Sequence, residues 1–187
     1  MKPRMPADLA NTGPHAAPPT APRLYGLGPQ VTQATVLLVL GSFPGAASLA
    51  AQQYYAHPQN QFWRIIQTIW PDIPREMDVG SYEKRIESLL KKGVGLWDVY
   101  AACERQGSLD SAIRKPEVND FSGLHLHCPR LRVVAHNGAE SFRHARQVAL
   151  PGVHSVRLPS TSPAHASWRF ERKLEAWRAV VEMAGLA

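Results

Sequence analysis

The chain has 187 residues, of which 44% are hydrophobic, and a formal net charge of +6 at pH 7. This length suits one domain with its own core, and the positive charge favours a polyanionic partner. No apolar run approaches the roughly 20 residues that a membrane-spanning helix needs, and the N-terminus lacks the features of a secretory signal. We therefore expect a cytoplasmic protein that does not bind membranes.

The two cysteines, Cys103 and Cys128, stand alone, and the chain contains no CxxC pair. It therefore cannot build a zinc ribbon or a four-cysteine iron–sulfur site. The eight histidines show no ligand spacing such as HExxH. We predict no metal and no cofactor, and we interpret both cysteines as small buried residues.

Residues 1–30 are rich in proline, alanine and threonine and show no hydrophobic period. Such a segment buries too little apolar surface to offset the entropy of ordering it. We predict a flexible leader over residues 1–30, with Leu24 and Tyr25 as candidate contacts to the domain. The folded domain is then expected over residues 31–187.

Four short runs have the aliphatic and β-branched composition of buried strands. They are Thr35–Leu40, Gly95–Val99, Leu131–Ala135 and Val153–Leu158. Apolar residues at helical spacing alternate with these runs. They predict helices over Asn60–Trp70, over Ser81–Lys92 with Gly93 at its end, over the residues from Gly138 to about Val148, and over a last segment that Ser167 would cap.

This alternation predicts a three-layer α/β/α sandwich around a central four-stranded, mostly parallel sheet. In such folds ligands bind beyond the carboxyl ends of the strands. The site is therefore expected after Leu40, around Asp98, after Ala135 and after Leu158.

Four motifs lie at these strand ends. They are GSFPG (41–45) followed by YAHPQNQFW (55–63), the stretch from Gly95 to Phe121 that begins GLWDV, HNG (136–138), and LPSTSPAHA (158–166). Together they resemble the hypoxanthine-DNA (deoxyinosine) glycosylase family of the uracil-DNA glycosylase superfamily. The resemblance covers the chain from about Thr35 to the C-terminus, and four motifs in the expected order are far more specific than one.

The resemblance implies a set of site residues. Asn60 corresponds to the asparagine implicated in catalysis in that family, and Tyr55 to the aromatic residue that stacks on the extruded base. Asp98 is a second catalytic candidate, and Ser42, Phe43 and Asn137 are base-binding candidates. The loop that enters the minor groove corresponds to Ser160, Thr161, Ser162 and His165. In the mismatch-specific uracil glycosylases an asparagine that holds the attacking water stands where this chain has Phe43.

The chemistry of base excision fits these residue types. The N-glycosidic bond breaks with oxocarbenium character, and donors aimed at the departing base lower the barrier. The Asn60 amide can serve either the base or the water. A carboxylate at Asp98 could accept a base N–H or orient water, but it would repel a departing base anion.

Structural roles compete with several of these functional ones. Asn60 is equally suited to cap a helix, and Asn137 and Gly138 form a common turn sequence. His57 is interpreted as structural. One of Tyr54 and Tyr55 is expected in the core, together with Trp63 and Trp97.

We predict a monofunctional DNA glycosylase of base excision repair that acts as a monomer on DNA containing deaminated bases and associates with the nucleoid. The pocket motifs GSFPG, YAHPQNQFW, GLWDV, HNG and LPSTSPAHA contain no lysine that could form a Schiff base. Hypoxanthine is the first expected substrate and uracil the second, with xanthine open. Two alternatives remain: a non-catalytic DNA-binding relative, and a hydrolase of small nucleosides.

Overall fold

The computed structural model describes residues 21–75, 80–165 and 167–186. Its elements in chain order are β1 (Arg23–Tyr25), β2 (Leu37–Gly41), α1 (Ala46–Ala51), α2 (Phe62–Ile69), α3 (Ser81–Lys91), β3 (Val94–Asp98), β4 (Tyr100–Glu104), a 3-10 turn (Asp110–Ala112), β5 (Arg114–Val118), α4 (Leu124–His127), β6 (Val133–Asn137), α5 (Ala139–Phe142), β7 (His154–Leu158) and α6 (Phe170–Met183).

The predicted central sheet is confirmed. Its strand order is β3-β2-β6-β7, and all three neighbouring pairs are parallel. Helices lie around the sheet, as expected for an α/β/α sandwich. Because the strands are parallel, the carboxyl ends of all four lie at one edge, where Gly41, Asp98, Asn137 and Leu158 are brought together.

The two faces of β2 contribute to separate cores. Leu37 and Val39 pack in the core that α2, α3 and α6 cover, together with Phe62 and Trp177. The next residues along the strand, Leu38 and Leu40, pack in a second core. Side chains of a strand alternate between faces, and a strand that is covered on both sides is apolar throughout. This explains the continuous aliphatic run that predicted the strand.

The second face carries an additional small sheet that the sequence did not predict. Strands β1, β4 and β5 form an antiparallel sheet in the order β1-β4-β5, and Tyr100 and Cys103 of β4 pack in the second core. Strand β5 has the sequence RKPEV and is exposed along its whole length. A short charged strand without apolar alternation gives no hydrophobic signal.

Two predicted helix boundaries are wrong. The helix after Gly138 ends at Phe142 instead of about Val148, because the chain continues in tight turns with bonds such as the one from the Ala145 N–H to the Phe142 carbonyl. Ser167 does not cap α6. The N-cap is Arg169, without a side-chain hydrogen bond to the helix.

The predicted leader differs from the structure over residues 21–30. Arg23–Tyr25 pairs with β4, and Gln30 forms a β-bridge with Leu96. These backbone hydrogen bonds join the segment to both sheets, so the folded part includes residues 21–30. Residues 1–20, the rest of the predicted leader, lie outside the described residues.

Both cysteines are buried and free, as predicted. Within the described ranges, no helix is long and apolar enough to span a membrane. In the same ranges, no group of three or more histidine, cysteine, aspartate or glutamate residues is arranged to hold a metal ion.

Candidate active site

A cavity of about 420 Å³ opens at the carboxyl edge of the central sheet. All ten residues that the sequence analysis singled out for the site line this cavity: Ser42, Phe43, Tyr55, Asn60, Asp98, Asn137, Ser160, Thr161, Ser162 and His165. The structure therefore brings the four motifs together, as parallel strands with a common carboxyl edge require.

The floor of the cavity is the junction of β2 and β3. A side chain at Gly41 would place its Cβ 2.2 Å from Asp98 Oδ1, so only glycine leaves room for the carboxyl group. The Val99 N–H donates to the Gly41 carbonyl at 2.9 Å. This bond fixes the strand end on which Asp98 is carried.

Asp98 is buried at this floor, with 4% of its surface exposed. Among the described residues, none provides a hydrogen-bond partner for its Oδ2 atom. Burial raises the pKa of Asp98 to about 7, repulsion by Asp110 adds to the rise, and Arg105 opposes it. A large share of Asp98 is therefore protonated at neutral pH, and a neutral carboxyl can donate a proton as well as accept one.

Tyr55 lies against this floor. Its ring stacks on Phe62 with centroids 4.0 Å apart. A Cβ atom added at Gly41 would lie 3.7 Å from the Tyr55 hydroxyl oxygen. That hydroxyl is buried and unpartnered within the described part of the chain. The residue has a φ of 58°, a left-handed conformation that costs a non-glycine residue about 1–3 kcal/mol.

Tyr54 is the core member of the tyrosine pair, as predicted. Only 3% of its surface is exposed, and its hydroxyl donates to the carbonyls of Leu27 and Gly28 at 3.2 and 3.1 Å. Its own carbonyl accepts the Trp63 indole N–H at 3.1 Å. These bonds hold the segment that carries Tyr55 to the domain.

Asn60 lies immediately before Gln61, which is the N-cap of α2 in place of the expected Asn60. The Asn60 Oδ1 atom nevertheless accepts the N–H of Phe62, the first residue of the helix, at 3.0 Å. The Nδ2 group of the same amide remains able to donate into the cavity. His57 also has the structural contact that was expected, since its Nδ1 accepts the Gln59 N–H at 3.2 Å.

Asn137 joins β6 to the loop of residues 159–165. Its Nδ2 donates to Thr161 Oγ1 at 2.9 Å, and its Oδ1 accepts the Thr161 N–H at 3.0 Å. The carbonyl of Thr161 in turn accepts the Gln61 N–H at 3.0 Å. Both polar atoms of the Asn137 amide are thus engaged with Thr161. Base binding by Asn137 stays a prediction.

Within this loop, Thr161 is fully buried. Its side chain and N–H hold the loop to Asn137, and contact of Thr161 with DNA stays a prediction. Ser160 and Ser162 are half-buried, and His165 is exposed. Ser160 and Ser162 accept the backbone N–H groups of Ser162 and Ala164 at 3.2 and 3.3 Å.

Phe43 is mostly a core residue. Only 6% of its surface is exposed, and its ring packs in the second core with Leu38 and Leu40. The Arg105 guanidinium lies 4.9 Å from the ring centroid. Phe43 therefore contributes a wall to the cavity without a polar atom for water or base.

Ser108, Asp110 and Glu140 are among the cavity residues that the sequence analysis did not single out. The first two lie in the GSLDS sequence after β4. A glycine and serines after a strand indicate a loop at the sheet edge, and that signal alone could have identified the segment.

The matches to known proteins agree with this site. The sequence model of the family described as "Uracil DNA glycosylase superfamily" matches residues 29–181. The chain belongs to the uracil DNA glycosylase superfamily. The matched range includes every residue of the cavity named above.

Two relatives within this superfamily are named hypoxanthine DNA glycosylase. The protein from Methanosarcina acetivorans is 38% identical over 146 residues, which are 78% of this chain and 90% of the relative. The protein from Methanosarcina barkeri is 36% identical over 140 residues, which are 75% of this chain and 87% of the relative. A solution NMR structure of a candidate uracil DNA glycosylase from Methanosarcina acetivorans superimposes with a TM-score of 0.75 at 34% identity, over 88% of this chain and 98% of the other.

Proposed function

We propose that this member of the superfamily is a monofunctional DNA glycosylase of base excision repair. It hydrolyses the N-glycosidic bond of deaminated bases in DNA, hypoxanthine first and uracil second, and leaves an abasic site. The relatives named hypoxanthine DNA glycosylase support the substrate. The observation that carries the proposal is the buried Asp98 carboxyl, with an unpartnered oxygen, at the floor of the cavity.

The size of the cavity is consistent with one extruded nucleotide. Its volume of about 420 Å³ lies within the usual range of about 300–1,000 Å³ for small-molecule pockets. A duplex cannot enter such a space, so the target nucleotide must rotate out of the helix. Tyr55 lines the cavity beside Asp98 and provides an aromatic surface for the base.

Asp98 acts as the proton donor to the base. Hydrolysis breaks the bond from the sugar C1′ to N9 of the purine, and the electron pair leaves with the base. Asp98 gives its proton to a ring nitrogen of the base, and water attacks C1′. The proton that the water loses returns to Asp98, so the products are neutral hypoxanthine and an abasic sugar. A protonated Asp98 removes the repulsion that a carboxylate would exert on a departing anion.

Asn60 binds the base, in preference to activating the water. One of the two lone pairs of the Oδ1 atom, the only acceptor of its amide, is occupied by the Phe62 N–H. A nucleophilic water needs an acceptor for its proton, whereas the Nδ2 group can only donate. Donation to the O6 carbonyl of hypoxanthine, or to a carbonyl of uracil, stabilises the negative charge that develops on the leaving base.

We further propose that the protein acts as a monomer, at the nucleoid, on DNA that contains deaminated bases. Its net charge of +6 supports contacts to the DNA backbone, which position a protein without specifying sequence. The exposed His165 and the half-buried Ser160 and Ser162 are the loop residues available for such contacts.

A single-turnover assay with matched duplexes tests this function. The duplexes carry one deoxyinosine, deoxyuridine or deoxyxanthosine, and alkali reveals abasic sites. We expect strand cleavage only after alkali, fastest with deoxyinosine. Faster cleavage at deoxyuridine would leave the proposed mechanism unchanged but would make uracil the preferred base. Binding without cleavage of any duplex would favour the non-catalytic alternative. Competition by free deoxyinosine would indicate a nucleoside hydrolase.

A further inference from the structure

Residues 105–111, which follow β4, hold the turn of residues 42–46 through three side chains. The Arg105 Nη2 group donates to the Pro44 carbonyl. The Ser108 hydroxyl oxygen accepts the Ala46 N–H, which is at the start of α1, at 2.9 Å. The third contact joins the Ser42 hydroxyl to Asp110.

Asp110 makes this third contact from the wall of the cavity. The Ser42 hydroxyl donates to Asp110 Oδ1 at 2.7 Å, and both residues line the cavity together with Asp98. The residue Asp110 as a whole is exposed to solvent, but its carboxyl group is partly desolvated by the surrounding protein atoms. This desolvation raises the pKa of the Asp110 carboxyl, and the Ser42 hydrogen bond opposes the rise.

We propose that Asp110 is a positioning residue of the active site, which fixes Ser42 at the cavity wall and places a second negative charge beside Asp98. The inference rests on the proposed function, and it assigns a role to a residue that does not belong to the expected catalytic set. Asp110 acts through Ser42 and through Asp98, and it does not itself need to touch the base.

The electrostatic part follows from the burial of Asp98. Two carboxyl groups that share a cavity cannot both ionise without mutual repulsion, and Asp110 is the carboxylate that contributes to the raised pKa of Asp98. Arg105 opposes the effect, but its guanidinium is directed to Pro44 and Phe43. The groups facing Asp98 are Asp110, Arg105, Tyr54, Tyr55 and Tyr82. Those facing Asp110 are Asp98, Tyr100, Cys103, Arg105, Glu140 and His165.

Two substitutions separate the hydrogen bond from the charge. Asp110→Asn keeps an oxygen acceptor for the Ser42 hydroxyl but removes the negative charge, whereas Ser42→Ala removes the bond and keeps the charge. Asp120→Asn is the matched control, because Asp120 also accepts a local hydrogen bond, from the Ser122 N–H at 2.9 Å, and lies outside the cavity lining.

The measurement is the pH dependence of single-turnover excision of deoxyinosine. In the wild type we expect the rate constant to fall as pH rises through about 7, the pKa of Asp98. Asp110→Asn should move the midpoint of this fall to lower pH by about half a unit or more, which makes the variant about threefold slower on the alkaline limb relative to its own plateau. Ser42→Ala should lower the plateau and move the midpoint less than Asp110→Asn does, because the carboxyl group of Asp110 is kept, and Asp120→Asn should match the wild type.

A midpoint that Asp110→Asn leaves unchanged or moves to higher pH would overturn the inference, and so would an equal shift in Asp120→Asn. Asp110→Ser provides a second neutral variant if Asp110→Asn does not fold. Carboxyl-carbon NMR titration of Asp98 gives the same midpoint without activity. If the wild type excises no base, the proposed function fails, and the NMR titration alone decides whether Asp110 acts on Asp98.

Discussion

At Asn60, one amide serves two purposes. The oxygen accepts the Phe62 N–H at the entry to α2, and the residue also lines the cavity. An asparagine before an apolar helix gives the same local sequence signal whether it caps, catalyses or does both. The structure shows the bond at the helix entry, and the donor role that we propose uses the amide nitrogen, which this bond leaves available.

Replacing Asn60 separates these two roles. Asn60→Ala removes the cap and the donor, whereas Asn60→Asp keeps an acceptor for the Phe62 N–H and removes the donor. We expect both variants to excise deoxyinosine about tenfold more slowly or worse. Only Asn60→Ala should lose about 1 kcal/mol of unfolding free energy.

Single-turnover rates and denaturant unfolding of the two variants check this expectation, with affinity for an abasic duplex as the control for DNA binding. Wild-type excision by Asn60→Asp would remove Asn60 from the catalytic residues. Such a result would leave it as a helix cap alone.

Among the elements, the loop of residues 159–165 depends on one side chain from β6. Two hydrogen bonds join Asn137 to Thr161, and Thr161 is buried completely. A buried N–H that loses its acceptor costs about 1–3 kcal/mol. Asn137 therefore helps to hold the loop beside the cavity, together with the bonds from the Gln61 N–H to the Thr161 carbonyl and from Lys173 Nζ to the His165 carbonyl.

Asn137→Ala should lower the free energy of unfolding by about 1–3 kcal/mol and accelerate hydrogen exchange at the Thr161 amide. Asn137→Asp, which keeps the acceptor for that amide, should protect it nearly as well as the wild type does. Amide exchange followed by NMR, together with urea unfolding, measures both effects. Equal protection of the Thr161 amide in the alanine variant and the wild type would show that other contacts hold the loop.

The elements also show where sequence patterns suffice. The run of residues 35–40 predicted β2 because a strand covered on both faces must be apolar throughout. Strand β5 was missed because its stability comes from backbone pairing with β4 and from ion pairs such as Lys115–Glu104, which leave no hydrophobic period. The helix after Gly138 was predicted too long because its apolar spacing continues into residues that form tight turns instead.

For the molecule as a whole, parallel topology gathers distant motifs at one edge. This rule, applied to the predicted strand ends, placed Ser42, Asp98 and Asn137 in a common site, and the cavity contains all three. The rule could not predict which of the motif side chains are buried by contacts within the protein. Phe43 packs in the core and Thr161 is buried, and both outcomes depend on tertiary contacts that sequence spacing does not encode.

The protonation of Asp98 is likewise a property of the whole fold. Its pKa depends on burial by the surrounding layers and on Asp110, which is twelve positions away and in another segment. From the sequence, a carboxylate at this position conflicted with the departure of an anionic base. The folded environment reduces that conflict, because a pKa raised to about 7 leaves a large share of Asp98 protonated at neutral pH.

The most direct test of the proposed glycosylase activity is the identification of the products released from a deoxyinosine duplex. Chromatography with mass detection would quantify the free base, and aldehyde-reactive labelling would quantify abasic sites in the same reaction. We predict free hypoxanthine in equal amount to abasic sites, with the DNA strand intact before alkali, and little of either product with Asp98→Ala. Release of a nucleoside, strand breaks without abasic sites, or full activity in Asp98→Ala would contradict it.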